Sequence, residues 1–425
     1  MPSRKILKPA TVAVPDEFYS PGLRYKNWVF VSGVMATDYK TGLPSTIRSN
    51  DAIPLAGESV LIRESEYIFK TLDAVLAEGN TSLPNGVRID QFPSTRDMVD
   101  PYHVVRRGAI DPPRPASTSV HIAGLSAPDA HTMVELVAIV PGPGFQKEGI
   151  NSDKVPQPLG GYSPAIRAGD FVFLAGQVPT DWKSGVAPEA RVDPNFWEGN
   201  KIDRETRLTL KNMGIILEAA GSSMRNVVKA QVYLTDINDL PRLDRVWREF
   251  FPDDPPARTV YPINTLGVTD SRVEINFVAV TDTGKTKKAV IATDTARKPI
   301  FHESQAVRAG ELLFLSGLLA ADANGVVSAA RHNPHYPYGR DRAAAQSADI
   351  MEQAQAICRA AGTDLKNAVR LLTVHTDLNE SYSAAQIQRK YFSAGAPASS
   401  TICVPGPLQV PGCTVMADIW VGMEA

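Results

Sequence analysis

An α+β fold, made of three tandem copies of one β-β-α-β-α-β-β domain, is what this sequence predicts. Its signals recur at a spacing of about 141 residues. Gly33, Gly176 and Gly317 each close an apolar run, Pro115-Ala116, Pro256-Ala257 and Pro397-Ala398 repeat, and Gly79, Gly221 and Gly362 each end a helical pattern. A period this long is a whole domain, not a solenoid turn. The 425 residues divide into three such domains, each large enough to bury a core. Within a copy the apolar period switches between that of a strand and that of a helix.

The second copy reads most clearly. Phe171-Val172-Phe173-Leu174 is a short strand ended by Gly176, and residues 180–185 form a hairpin-type turn. Over 204–220, Leu210, Met213, Leu217 and Ala220 make one helical stripe, with Gly221 where a terminating glycine belongs. Residues 228–234 alternate, so a strand with one buried face follows. Leu240, Leu243, Val246, Trp247 and Phe250 form a second amphipathic helix, and strands at 259–266 and 272–280 close the copy. Thr235-Asp236-Ile237-Asn238 returns as Thr376-Asp377-Leu378-Asn379.

Both helices must cover one face of the mixed sheet. The other face is also rich in apolar residues and needs a partner, which the tandem copies supply. A pseudo-trimeric barrel closed about a three-fold axis, helices outside, is the expected result. Linkers rich in Pro, Gly, Lys and Thr fall at 141–158 and 281–299, which gives domains at 1–145, 155–283 and 298–425.

Charge is nearly balanced, with 44 basic and 46 acidic residues and no run of Lys or Arg, so a nucleic-acid footprint and a polybasic membrane anchor are both excluded. No apolar segment is long enough to span a membrane or to serve as an export signal, so the chain is expected to be cytoplasmic. Cys358, Cys403 and Cys413 all lie in the last copy, without metal-site spacing, and read as reduced thiols.

The motif Pro256-Ala257-Arg258-Thr259-Val260, followed by Arg272-Val273-Glu274-Ile275, resembles the YjgF/Rid family of reactive-intermediate deaminases, also described as L-PSP endoribonuclease-like. The resemblance covers nearly the whole chain, three times over. It implies a chorismate-mutase-like domain that forms trimers with sites in the clefts between copies. It also implies hydrolytic deamination of an imine or enamine carboxylate, with Arg258 on the carboxylate, Glu274 serving the attacking water, and Gly176 and Val260 in the substrate pocket. An arginine fork orients a carboxylate by two charge-assisted hydrogen bonds, and hydrolysis of an imine needs no metal or organic cofactor. The partner expected is therefore a small carboxylate; further self-association of pseudo-trimers is left open.

Departures from the family pattern are expected to silence two clefts. Ser117 and Ser399 stand at the arginine position, Met416 replaces the glutamate in copy three, and Glu135 is taken as the glutamate of copy one. At the family's active-site tyrosine the chain is read as having Gly22, Ala165 and Ala306. Copy one carries an insertion at 45–63, and the corresponding loops of copies two and three contain Asn195-Phe196-Trp197 and the stretch from His332 to Tyr338. His332 and His335 have ligand-like spacing but lack a neighbouring carboxylate or thiol, so a surface loop is preferred and no metal is expected. Ser117, Ser119 and His121 alternate on one strand face near Glu135 and make a secondary candidate for nucleophilic chemistry. Two other functions remain open at this level. One is a non-catalytic carboxylate binder. The other is a ring-opening amidohydrolase of the cyanuric acid hydrolase and barbiturase type, although the triplicated serine-lysine pairs of those enzymes are not found.

Overall fold

In the computed structural model the described residues are 4–16, 18–50, 52–53, 56–193, 195, 199–331, 335 and 341–423. They form six α-helices: α1 (Val60–Glu78), α2 (Val99–Ala109), α3 (Lys201–Ala219), α4 (Leu240–Phe250), α5 (Arg342–Ala360) and α6 (Ser381–Gln388). Side chains of Ser59, Asn200 and Asp341 cap the first turns of α1, α3 and α5. Gly221 (φ +71°) and Gly362 (φ +81°) follow α3 and α5 in the left-handed region that ends helices. After α1 that conformation is taken by Asn80 (φ +61°), not Gly79. The repeated Asp236 and Asp377 accept from the amides of Asn238 and Asn379 and start short helices before α4 and α6.

The strands form three large sheets with one shared order. In the second sheet, Ala257–Pro262 lies parallel to Val227–Leu234, followed by Val273–Val280, Phe171–Leu174, Ala165–Ala168 and Lys147–Ile150. The first sheet runs from Arg4–Leu7 to Ala116–Ser119, and the third from Lys288–Ile291 to Ala398–Cys403. The predicted β-β-α-β-α-β-β order is present with one strand added in front of it. The presumed linkers contain Lys147–Ile150 and Lys288–Ile291, each hydrogen-bonded to the sheet that follows it. The insertion expected at 45–63 ends earlier, because Val60 to Arg63 already form the first turn of α1.

Helices α3 and α4 bury Leu210, Met213, Leu217 and Trp247 against Val232 and Ile275. On the opposite faces one apolar cluster takes Trp28 and Phe30 from the first sheet, Phe173 and Val278 from the second, and Phe314 and Trp420 from the third. Burial of this kind contributes about 25 cal/mol per Å². The same faces also carry buried polar groups: Lys229 Nζ lies 2.9 Å from Asp418 Oδ1, and Arg370 pairs with Glu135. The sheets stay open, so the expected closed barrel is not formed. The short strand Gly124–Leu125 of the first unit extends the third sheet at Ala398–Cys403.

The recurring glycines sit where units meet. Gly176 donates its N–H to Ser117 O (3.0 Å), Gly317 to Arg258 O (2.9 Å) and Gly33 to Ser400 Oγ (2.8 Å). A Cβ at Gly176 would lie 1.9 Å from Glu274 Oε1, and one at Gly33 2.3 Å from Met133 Sδ. The close approach demands glycine.

Candidate active site

Arg258 and Glu274 belong to one sheet but to different clefts. Arg258, on the strand Ala257–Pro262, faces the third unit. Its N–H donates to Ser316 Oγ at 2.9 Å, and its fully buried guanidinium lies 5.0 Å from the Trp247 ring. Nη2 donates to Asp244 Oδ1 (2.6 Å) and Nε to Glu303 Oε2 (3.1 Å). Against burial, which pushes Asp244 up, Arg258 holds that carboxyl below its ordinary value; burial pushes Glu303 up. Val260, Gly317 and Gln409 line the adjoining cavity of about 60 Å³.

Glu274 faces the first unit. Burial first, and Asp90 second, push its carboxyl up to about 8, while the Ser119 amide pulls it down. It lies beside Gly176, whose N–H is already given to Ser117 O, so Gly176 contributes space and not a free donor. Sequence reasoning missed what else converges here. Arg106 of α2 is fully buried and donates from Nη1 to Ser117 Oγ (2.7 Å) and from Nη2 to Gly160 O (2.6 Å). Its guanidinium carbon lies 5.3 Å from the Tyr102 ring and 5.7 Å from the Tyr162 ring. Burial, then the charge on Glu274, raise the Tyr162 hydroxyl. Among the described residues Arg106 forms no ion pair, and its buried Nε has no hydrogen-bond partner.

Arg106 stands 141 residues before Trp247, and Ser117 141 before Arg258. In the first unit, then, the helix supplies the cation and the strand a small residue. In the second the strand supplies the cation and the helix a tryptophan. That offset was the available signal.

Ladder register corrects two readings. Tyr233 is opposite Glu274, Phe92 opposite Met133, and Val374 opposite Met416. Met133, not Glu135, is the counterpart of Glu274. Glu135 pairs across from Asp90, two positions further on, and binds Arg370 Nη2 at 2.5 Å. The tyrosine was likewise sought three residues too late. Ala165 and Ala306 are buried strand residues, whereas Tyr19, Tyr162 and Glu303 hold the preceding position before Ser20, Ser163 and Ser304. The secondary cluster is not assembled either. Ser119 Oγ donates to Gln91 Oε1 (2.7 Å), and His121 pairs by its backbone with Thr265 and Asn264; burial, then Arg96, lower the pKa of its ring.

Among the described residues no group of three His, Cys, Asp or Glu could hold a metal, and no helix is long and apolar enough to cross a membrane. Phe196, Trp197, His332, Asn333, Pro334 and residues 336–338 lie outside the described residues. The three cysteines are free; burial raises their thiols.

Residues 152–281 match the family described as Endoribonuclease L-PSP. A RutC family protein of Pyrococcus horikoshii is 40% identical over 133 residues, 31% of this chain and 97% of the relative. The 2-iminobutanoate/2-iminopropanoate deaminase of Homo sapiens is 35% identical over 131 residues, 31% of this chain and 88% of the relative. Reactive Intermediate Deaminase A, chloroplastic, of Arabidopsis thaliana is 33% identical over 134 residues, 32% of this chain and 66% of the relative. The stretch matched by the family model contains Tyr162, Gly176 and Glu274, and on that likeness the chain belongs to the Endoribonuclease L-PSP, or YjgF/Rid, family.

Proposed function

We propose that the chain is a cofactor-independent hydrolytic deaminase of a small imine or enamine carboxylate, acting in the cleft between its first and second units. The observation that carries this reading is a buried Arg106 with only neutral partners, in the same cleft as a Glu274 carboxyl raised to about 8. A substrate carboxylate replaces Ser117 Oγ and Gly160 O on the guanidinium fork. Glu274, protonated at neutral pH, gives its proton to the imine nitrogen. It then takes one from the attacking water and returns it to the amine; as the C–N bond breaks and ammonia leaves, the hydroxyl formed from the water gives its proton back to Glu274 and the C=O of a 2-oxo acid forms. The names of the human and Arabidopsis relatives support this reaction class.

The reading includes an architecture: three domains about an approximate three-fold axis, the second beginning near Lys147 and the third near Lys288, where the added strands start. It also assigns the clefts unequally. Arg258 is a structural ion pair, and its cleft is silent.

The test is ammonia release from 2-iminopropanoate formed in situ by oxidation of alanine. Acceleration by the full chain, lost in Arg106→Ala and Glu274→Gln but kept in Arg258→Lys, is expected. Binding of the 2-oxo acid without acceleration would favour a carboxylate binder, and dependence on Arg258 would return the site to the other cleft.

A further inference from the structure

The cleft between the first and third units has the same ancestry in the repeat but different chemistry. Ser399 occupies the place of Arg258 and Met133 that of Glu274, so both charges are gone. Gln388 stands where the other units have Arg106 and Trp247. In place of a narrow slot there is a cavity of about 770 Å³. Its inner wall is apolar, with Met35, Met133 and Leu371, and is studded with the hydroxyls of Thr373, Ser399 and Thr401. Among the described residues the charged ones lining it, Asp16, Lys40 and Arg389, are exposed and sit at the rim.

The mouth provides a second, independent observation. Two of the exposed large hydrophobic side chains flank this one opening: Phe18 is 41% and Tyr382 63% exposed, and both line the cavity. They come from different units. The volume falls within the 300–1,000 Å³ typical of small-molecule sites. A charged group carried to the inner wall would lose its hydration without meeting a counter-charge there, since Asp16, Lys40 and Arg389 lie at the rim. An uncharged ring would lie between aromatic faces and give a polar substituent to the hydroxyls.

We propose that this cleft is a second binding site, for an uncharged aromatic small molecule bearing a hydroxyl or carbonyl group, separate from the imine site. Nothing in it requires the deaminase reading to hold.

The probe is 1-naphthol, neutral at pH 7, with 1-naphthoate as its charged counterpart, both titrated calorimetrically into the full chain. Saturable binding of one 1-naphthol per chain, at least tenfold tighter than 1-naphthoate, is expected. Tyr382→Ala, at an exposed position that leaves the core untouched, should weaken 1-naphthol by about 2- to 12-fold, the worth of one aromatic contact. Ser399→Arg should reverse the preference towards 1-naphthoate. Arg106→Ala should leave 1-naphthol binding as it was. The proposal is overturned by the absence of saturable binding at millimolar probe, by 1-naphthoate binding the unaltered chain equally well, by indifference to Tyr382→Ala, or by loss of 1-naphthol binding in Arg106→Ala.

Discussion

Two arginines at equal depth have opposite electrostatic surroundings. Arg106 meets a hydroxyl, a carbonyl and two aromatic faces, and among the described residues no carboxylate is paired with it. Removing one partner of a desolvated charge pair typically costs about 2 to 5 kcal/mol, and each 1.36 kcal/mol is tenfold in rate. Arg106→Ala should therefore lower kcat/KM by roughly 30-fold to several thousand-fold in the ammonia-release assay. Lysine there should recover little, because a point charge does not reproduce the fork. Arg258 already holds Asp244 and Glu303, so Arg258→Ala strands buried carboxylates and should destabilise the chain by about 3 to 5 kcal/mol, read as a lower urea midpoint. Glu274 gives a pH signature. Its folded value of about 8 lies above the ordinary carboxyl value, so its contribution to stability is full at acid pH and is lost as pH rises through about 8. Activity that uses its proton should fall over the same upper limb. Glu274→Gln should flatten the stability curve between pH 5 and 8 and lower kcat while leaving product affinity nearly unchanged. Glu274 was legible from its motif. Arg106 was not, because it interrupts the apolar stripe of α2 and no local pattern marks a helix residue that compensates a strand residue eleven positions on.

At the scale of elements, the helices and central strands were legible because their periodicities are imposed by burial of a single face. The added edge strands Lys147–Ile150 and Lys288–Ile291 were not. Only Ile150 among their residues is buried, so no apolar alternation marks them, and it is pairing with the next sheet that makes them strands. The period-141 glycines were visible as punctuation, but their reason is tertiary: each lets one unit's strand approach the next. Gly176→Ala tests this. A methyl group 1.9 Å from Glu274 Oε1 must displace the carboxylate or the strand. Overpacking of this kind costs about 1 to 3 kcal/mol. The expected result is a lower unfolding midpoint together with a loss of kcat, while Gly221→Ala, with nothing within 4 Å but a φ of +71°, should lower stability alone.

For the whole molecule, the proposed three-unit architecture in one chain would free each cleft to change alone, as identical copies in a homotrimer cannot. The outcome here is one cleft with a cation and a raised carboxyl, one occupied by its own ion pairs, and one widened, with its charged residues at the rim. The assembly still depends on all three, since the buried Lys229–Asp418 and Arg370–Glu135 pairs join different sheets. A 2-oxo acid should accordingly bind the chain with a stoichiometry near one in calorimetric titration. The cation at Arg106 comes from the first unit and Glu274 from the second, so that single event should vanish in Arg106→Ala and persist in Arg258→Lys. A stoichiometry near three would mean that neither guanidinium decides where carboxylates bind, and that the inequality of the clefts has no functional expression.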